Sequence, residues 1–158
     1  HYNLGIVHAG RGDWEGAVRH LRRAAAVDPT SVDAHANLGV ALERRGLSRA
    51  AVAAYEEAVS LDPGHLQAAN NLAWILATAP EAELRDGARA VELMERVVTA
   101  EAAPALLDTL AAAYARAGRM DEAVAGAERA LAGAGAESPL GRAMRQRLEA
   151  YRAGEAWP

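Results

Sequence analysis

The sequence contains no cysteine, no lysine and no phenylalanine. Without cysteine, the chain has no disulfide, zinc ribbon, iron–sulfur cluster or thiol nucleophile of its own. Without lysine, its positive charge rests on arginine, and 17 basic residues face 21 acidic ones for a formal net charge of −4. No basic surplus is left to attract nucleic acid or an anionic membrane surface. Aromatic residues make up only 4% and β-branched residues are sparse, which argues against an all-β fold and against a mainly parallel sheet. No apolar run approaches the length of a membrane span, so no membrane insertion is expected. No secretory signal is visible. The chain begins at His1 and not at Met, so it reads as a fragment of a longer polypeptide. A cytoplasmic location is favoured, with an upstream targeting segment left open.

What is present is apolar and small. Of 158 residues, 51% are hydrophobic and about a quarter are alanine, the best helix former. That is enough apolar material for a core, and it excludes a wholly disordered chain.

The residues recur with a period of 34. Asn3-Leu4-Gly5 returns as Asn37-Leu38-Gly39 and again as Asn71-Leu72-Ala73. Ala17, Leu21, Ala24 and Pro29 return as Ala51, Tyr55, Ala58 and Pro63, and Gly12 returns as Gly46. In the third unit the step from Leu72 to Ala90 is 18 residues, where the first two units use 13. Five residues are added within 78–86, where Pro80 predicts a lengthened loop between two helices. The fourth unit restores the spacing, with Leu110, Ala111, Tyr114 and Gly118 ahead of Ala123, Ala127 and Ala130.

Inside each unit, apolar residues recur at three and four, the spacing of an amphipathic helix, in two stretches split by a glycine turn. In the second unit the spacing predicts helices over 32–45 and 48–61, with Gly46 at the C-cap of the first and Ser48 as N-cap of the second. Asp13 and Asp121 are the expected caps of the corresponding helices in units one and four. The Asp28-Pro29 and Asp62-Pro63 pairs end second helices, because the residue before proline resists helical dihedrals. A short antiparallel pair cannot bury its apolar face alone and must stack on neighbours. A further amphipathic stretch over 138–153 carries Leu140, Met144, Leu148 and Tyr151 on one side. Arg142, Arg145, Gln146, Arg147, Glu149 and Arg152 lie mostly elsewhere. Ser138-Pro139 is its predicted start, and Gly154 to Pro158 a short tail.

These residues resemble the tetratricopeptide repeat family, whose pattern is Trp-x2-Leu-Gly-x2-Tyr, then Ala-x3-Phe-x2-Ala, then Pro. Here it reads His1-x2-Leu4-Gly5-x2-His8, Ala17-x3-Leu21-x2-Ala24, Pro29. It reads again as His35-x2-Leu38-Gly39-x2-Leu42, Ala51-x3-Tyr55-x2-Ala58, Pro63. The match covers about residues 1–133, without the family's Trp and Phe and with the added loop. The resemblance implies an all-α, right-handed superhelix of four helical hairpins, with units at about 1–31, 32–65, 66–102 and 103–136. The helix at about 138–153 then caps a single domain over 1–158.

The resemblance also implies a groove built from the first helix of each pair. Carried onto this sequence, its positions are Asn3, Ile6, Asp33, Asn37, Val40, Arg44, Gln67, Asn70, Asn71, Trp74, Asp108, Thr109, Ala112 and Arg116. Asn3, Asn37 and Asn71 share one position in three units, and an asparagine can pair with both main-chain groups of an extended peptide. The arrangement is similar to the asparagine ladder of O-linked N-acetylglucosamine transferases, and Thr109 would end it. The bland alternative is that these residues bridge neighbouring helices. Trp74, one turn from Asn70 and Asn71, is a binding anchor if exposed and a core residue if not. Repeats that clamp the acidic C-terminus of chaperones use lysine and arginine where Asp33, Gln67, Asn70, Asn71 and Asp108 stand here, so a carboxylate clamp is not expected. Arg44 and Arg116 fit acidic side chains of a ligand or solvated ion pairs.

No catalytic pattern appears. His1, His8, His20, His35 and His65 are scattered, with no His-Glu-x-x-His, and there is no Walker loop and no Gly-x-Ser-x-Gly. No cofactor, metal or enzyme activity is expected. The expected function is a protein–protein scaffold binding a peptide or protein segment in the groove, through Asn3, Asn37, Arg44, Asn70, Asn71, Trp74, Asp108 and Arg116. Two alternatives are a non-catalytic appendage of a larger bacterial enzyme, such as a glycosyltransferase, and a self-assembly module stacking through the first repeat.

Overall fold

The computed structural model describes residues 1–99, 101–135 and 137–157. Ala100, Ala136 and Pro158, which fall in the third unit, the fourth unit and the tail expected from sequence, lie outside the described residues. Among the described residues there are nine α-helices and no strand. They are α1 Tyr2–Gly10, α2 Trp14–Val27, α3 Val32–Arg44, α4 Ser48–Leu61, α5 Leu66–Thr78, α6 Gly87–Val97, α7 Pro104–Arg116, α8 Met120–Ala134 and α9 Pro139–Arg152. A single 3-10 turn, Ala82–Leu84, lies in the lengthened loop before α6. The helices gather into two compact units, His1–Leu72 and Ala73–Pro158.

In the first unit α1 pairs with α2, α2 also packs on α3, and α3 pairs with α4. The hairpins close because volumes at facing positions are complementary. A Cβ on Gly5 would fall 2.6 Å from Cγ of Leu21 on α2. A Cβ on Gly39 would fall 2.8 Å from Cζ of Tyr55 on α4 and closer still to two other ring atoms. Helix α1 is the least anchored of the set. Its one buried residue is Gly5, and Leu4, Ile6 and Val7 are exposed.

In the second unit α6 packs on α7, α7 on α8 and α8 on α9. The core here is built mostly from methyl groups: Ala111, Ala115, Ala123 and Ala127 meet Leu148 and Tyr151, with Ala156 and Trp157 against them. Met144 closes a second cluster with Leu107 and Ala130.

One turn recurs. After α1, α3, α7 and α9 a glycine takes a left-handed φ of 74°, 71°, 78° and 80°, at Gly12, Gly46, Gly118 and Gly154. The following residue donates its N–H back to a helix carbonyl: Asp13 to His8, Leu47 to Leu42, Arg119 to Tyr114 and Glu155 to Ala150, at 2.8–3.0 Å. This is the Schellman closure that satisfies the end of a helix. After α5 the added residues intervene, yet Asp86 N–H still bonds Leu76 O at 2.9 Å, and Leu76 holds the position of His8 and Leu42. The insertion is therefore absorbed inside the span that this bond closes.

The caps depart from expectation in two places. Asp13 caps α2 by accepting from Gly16 N–H, and Ser138 caps α9 by accepting from Gly141 N–H. Ser48, however, is the first residue of α4, with Leu47 at the N-cap. Asp121 lies in the first turn of α8 behind Arg119. The recurring turn fixes the residue after glycine as the cap, whatever its side chain. Helix α3 ends at Arg44, one residue before its expected end.

Candidate functional site

The first helices carry the residues expected to bind. In the first unit, Asn3 is exposed on α1. Asn37 on α3 donates Nδ2 to the Tyr2 hydroxyl at 3.1 Å and to Asp33 O at 2.8 Å. Asn71 on α5 donates Nδ2 to the Tyr55 hydroxyl at 3.1 Å, and Asn70 Nδ2 reaches Asn71 Oδ1 at 3.4 Å. Tyr55 donates in turn to Glu43 Oε2 at 2.9 Å. Burial, reinforced by the Glu43 carboxylate, pushes the Tyr55 phenol far above its ordinary range, so it stays a neutral donor and acceptor. The two asparagines therefore have oriented amides, each set by a tyrosine hydroxyl that the 34-residue period does not reveal. Arg44 places its guanidinium 5.1 Å from the centre of the Trp14 ring. Asp33 lies 3.5 Å from His65.

In the second unit the structure joins three helices through a charged pair. Asp108 on α7 is 4% exposed and Arg147 on α9 is 7% exposed. Arg147 Nε donates to Asp108 Oδ1 at 3.0 Å, and Nη2 donates to Oδ2. The same guanidinium sits 5.4 Å from the ring centre of half-buried Trp74 on α5. Burial raises the Asp108 carboxyl above its ordinary range, against the two Arg147 bonds that lower it. The position expected for Arg147, away from the apolar side of the last helix, is thus corrected. It lies three residues after Met144 and four before Tyr151, inside the buried stripe, where Asp108 neutralises it. Leu140, expected on the apolar side, is instead 43% exposed.

Arg116 at the end of α7 donates Nε to Ala77 O and Nη2 to Trp157 O, both at 2.7 Å. It ties the C-terminal end of α5 to the segment after α9. The Thr109 hydroxyl bonds Ala105 O at 3.1 Å within its own helix.

The histidines are not all scattered. His1 and His20 stack with ring centres 5.7 Å apart, and His8 and His20 with centres 5.0 Å apart. His8 Nδ1 lies 2.7 Å from Asp13 Oδ2. Their signal in the sequence is that His1 and His8 are seven residues apart, on one face of a helix. Among the described residues, no three His, Asp or Glu side chains are grouped so as to hold a metal ion. No helix of the described residues is long and apolar enough to cross a membrane.

Solved structures share this fold, among them the following three. A MamA double mutant superposes with a TM-score of 0.73 at 20% identity, covering 96% of this chain and 85% of that one. The pilF protein of Pseudomonas aeruginosa gives 0.69 at 21% identity, over 97% of this chain and 69% of its own. A thermophilic repeat protein of Thermus thermophilus gives 0.63 at 20%, over 96% and 79%. No curated protein matches the chain in sequence. The model described as tetratricopeptide repeat matches residues 2–65 and 44–84, more than half of the sequence. Paired helices turned on recurrent glycines, with small residues where each pair meets, are thus explained by descent as well as by packing: the chain belongs to the tetratricopeptide repeat family.

Proposed function

We propose that the chain is a non-catalytic protein-interaction scaffold holding an extended peptide segment along the first helices of its hairpins. Membership of the repeat family supports the scaffold role. The observation that carries the peptide reading is the rank of Asn3, Asn37 and Asn71 at one position of α1, α3 and α5, with two of the amides already oriented by tyrosine hydroxyls. Both Nδ2 protons of Asn37 are used by Tyr2 and Asp33, so it offers a ligand's main chain its Oδ1, and a side chain held in place loses less entropy on binding. Arg44 and Asn70 complete the proposed lining in the first unit. In the second unit the proposed contact is Trp74, half-buried and covered by Arg147, with Asp108 and Arg116 acting through their internal bonds.

The test is capture of a partner with the chain as bait, then affinity measurements on Asn3→Ala and on Asn37→Ala with Asn71→Ala. Asn3 is exposed, so its removal should weaken binding without lowering the melting temperature. The double change should weaken binding by tenfold or more, while costing about 1 kcal/mol of stability per lost bond. Unchanged affinity in all variants would remove the ladder. A second reading is self-association through α1, favoured by the exposed Leu4, Ile6 and Val7. Sedimentation at several concentrations tests it, and a monomer throughout would refute it.

A further inference from the structure

We propose that the chain pairs with a second copy of itself through the Leu4 and Val7 stripe of α1, about a two-fold axis that closes the assembly at a dimer. The pairing rests on the self-association reading above and names its face, its partner and its end point. The recurring turn bond, which runs to His8, Leu42, Leu76 and Tyr114, sets one register for the first helices. In that register Leu4 is 50% exposed, where Leu38, Leu72 and Leu110 are 8%, 0% and 9% exposed. Val7 is 46% exposed, against 1%, 6% and 0% for Ala41, Ile75 and Ala113. Helix α3 packs on a preceding second helix, α2, and α7 on α6, and among the described residues α1 has no such neighbour. Leu4 and Val7, three residues apart on one side of α1, are thus a surface of the kind these hairpins bury. Gly5 is turned instead toward Leu21 of α2. Ile6 stands at the groove position of Val40 and Trp74, so the stripe is separate from the proposed peptide lining.

The occupant follows from charge. Head-to-tail stacking needs a second apolar face, and α9 does not supply it. The bond from Glu155 N–H to Ala150 O sets the register of α9. Where α3 has Ala34, Leu38 and Ala41, α9 has Arg142, Gln146 and Glu149, all exposed. Seating them on Leu4 and Val7 of another copy would bury polar groups without partners. The stripe meets its own counterpart without that cost, because α1 carries no charged side chain from Tyr2 to Val7. An antiparallel pair sets Leu4 of each copy against Val7 of the other, and it lays each helix C-terminus beside the partner's N-terminus, the favourable dipole arrangement. An interface in which the same patch faces itself closes at two chains and cannot grow into a filament. Helix α1 has nine residues and is about 14 Å long. Two such helices cover less than the ~1,200 Å² of a specific stable interface, so the dimer is weak and is read at about 0.01–1 mM chain.

The untagged chain is followed by sedimentation equilibrium over that range, and a monomer–dimer equilibrium that levels off at two chains is expected. Leu4→Glu and, separately, Val7→Glu should raise the dissociation constant about tenfold or more, since each would bury a carboxylate at the contact. Both positions are exposed in the single chain, so the melting of dilute samples by circular dichroism should not change. Leu140→Glu, at an exposed leucine of the second unit, should leave the dimer intact. The chain has no cysteine, so Leu4→Cys supplies a single thiol and should give a covalent dimer under mild oxidation, whereas Gln146→Cys should not. A monomer at every concentration would overturn the pairing together with the self-association reading. Association that survives both glutamate changes, or that grows past two chains, would overturn the pairing alone.

Discussion

The contact between Gly39 and Tyr55 offers the most direct test of how the hairpins are built. Replacing Gly39 with alanine adds one methyl to the middle of α3. At an open helix position that change is favourable by about 1 kcal/mol, since glycine is the poorer helix former. Here the new carbon would fall 2.8 Å from Cζ of Tyr55 and nearer to two other ring atoms. Tyr55 is 0% exposed. Its hydroxyl is held between Glu43 and Asn71, so the ring cannot retreat without loosening those bonds. Overpacking of this kind costs ~1–3 kcal/mol, and loss of a hydroxyl bond adds about 1 kcal/mol. After subtracting the helix-propensity gain, the net loss is about 1–3 kcal/mol. For a chain of this size that lowers the melting temperature by about 2–4 °C per kcal/mol. The assay is thermal unfolding by circular dichroism, with Gly10→Ala as control, where a Cβ meets nothing within 4 Å. The register of the second unit offers a rescue. There Ala73 and Met94, both fully buried, hold the positions of Gly39 and Tyr55. Combining Gly39→Ala with Tyr55→Met should therefore cost less than the sum of the two single changes. A Gly39→Ala protein that melts at or above the parent would refute the reasoning, and strictly additive losses would refute the pairing.

Three further outcomes are expected. Arg147→Met leaves the Asp108 carboxylate buried without its partner and should destabilise by about 3–5 kcal/mol, whereas Arg147→Met with Asp108→Leu should be close to neutral; equal losses in denaturant titrations would contradict this. Gly46→Ala forces a side chain into the left-handed region at φ 71° and should cost about 1–2 kcal/mol, read from the shift in denaturation midpoint. The Asp13 carboxyl is held below its ordinary range by Gly16 N–H and then by His8. Its stabilisation is therefore present above the unfolded value of about 3.9 and is lost as pH falls through the lower folded value. The stability gap between the parent and Asp13→Asn should shrink accordingly in acid, and a pH-independent gap would argue against the cap.

The helices were legible because two signals coincide in the sequence: the 34-residue return of Leu4, Gly5 and Ala17, and the glycines that must adopt positive φ. The capping side chains were half legible. Asp13 and Ser138 act as caps, but Leu47 and Arg119 take the corresponding place because the backbone bond of the turn assigns it by position. The candidate site was legible as a set of positions and not as a set of bonds. Tyr2 and Tyr55 orient the asparagines from different points of the repeat, and no period links them. Charge alone puts Arg147 in solvent; its phase, three from Met144 and four from Tyr151, puts it inside. The stack of His1, His8 and His20 arises only when α1 and α2 lie side by side, which spacing along one helix cannot convey.

The bond from Asp86 to Leu76 spans ten residues where its counterparts span five. Chain length between those two anchors is thus uncoupled from the bond that closes the turn, and lengthening a closed loop is cheap in entropy, about 0.6 kcal/mol for each doubling. The exposed Ala82–Glu83 step is accordingly a natural splice point for an epitope or a reporter peptide, clear of buried Ala79 and of the Arg85 bonds to the Ala79 and Pro80 carbonyls.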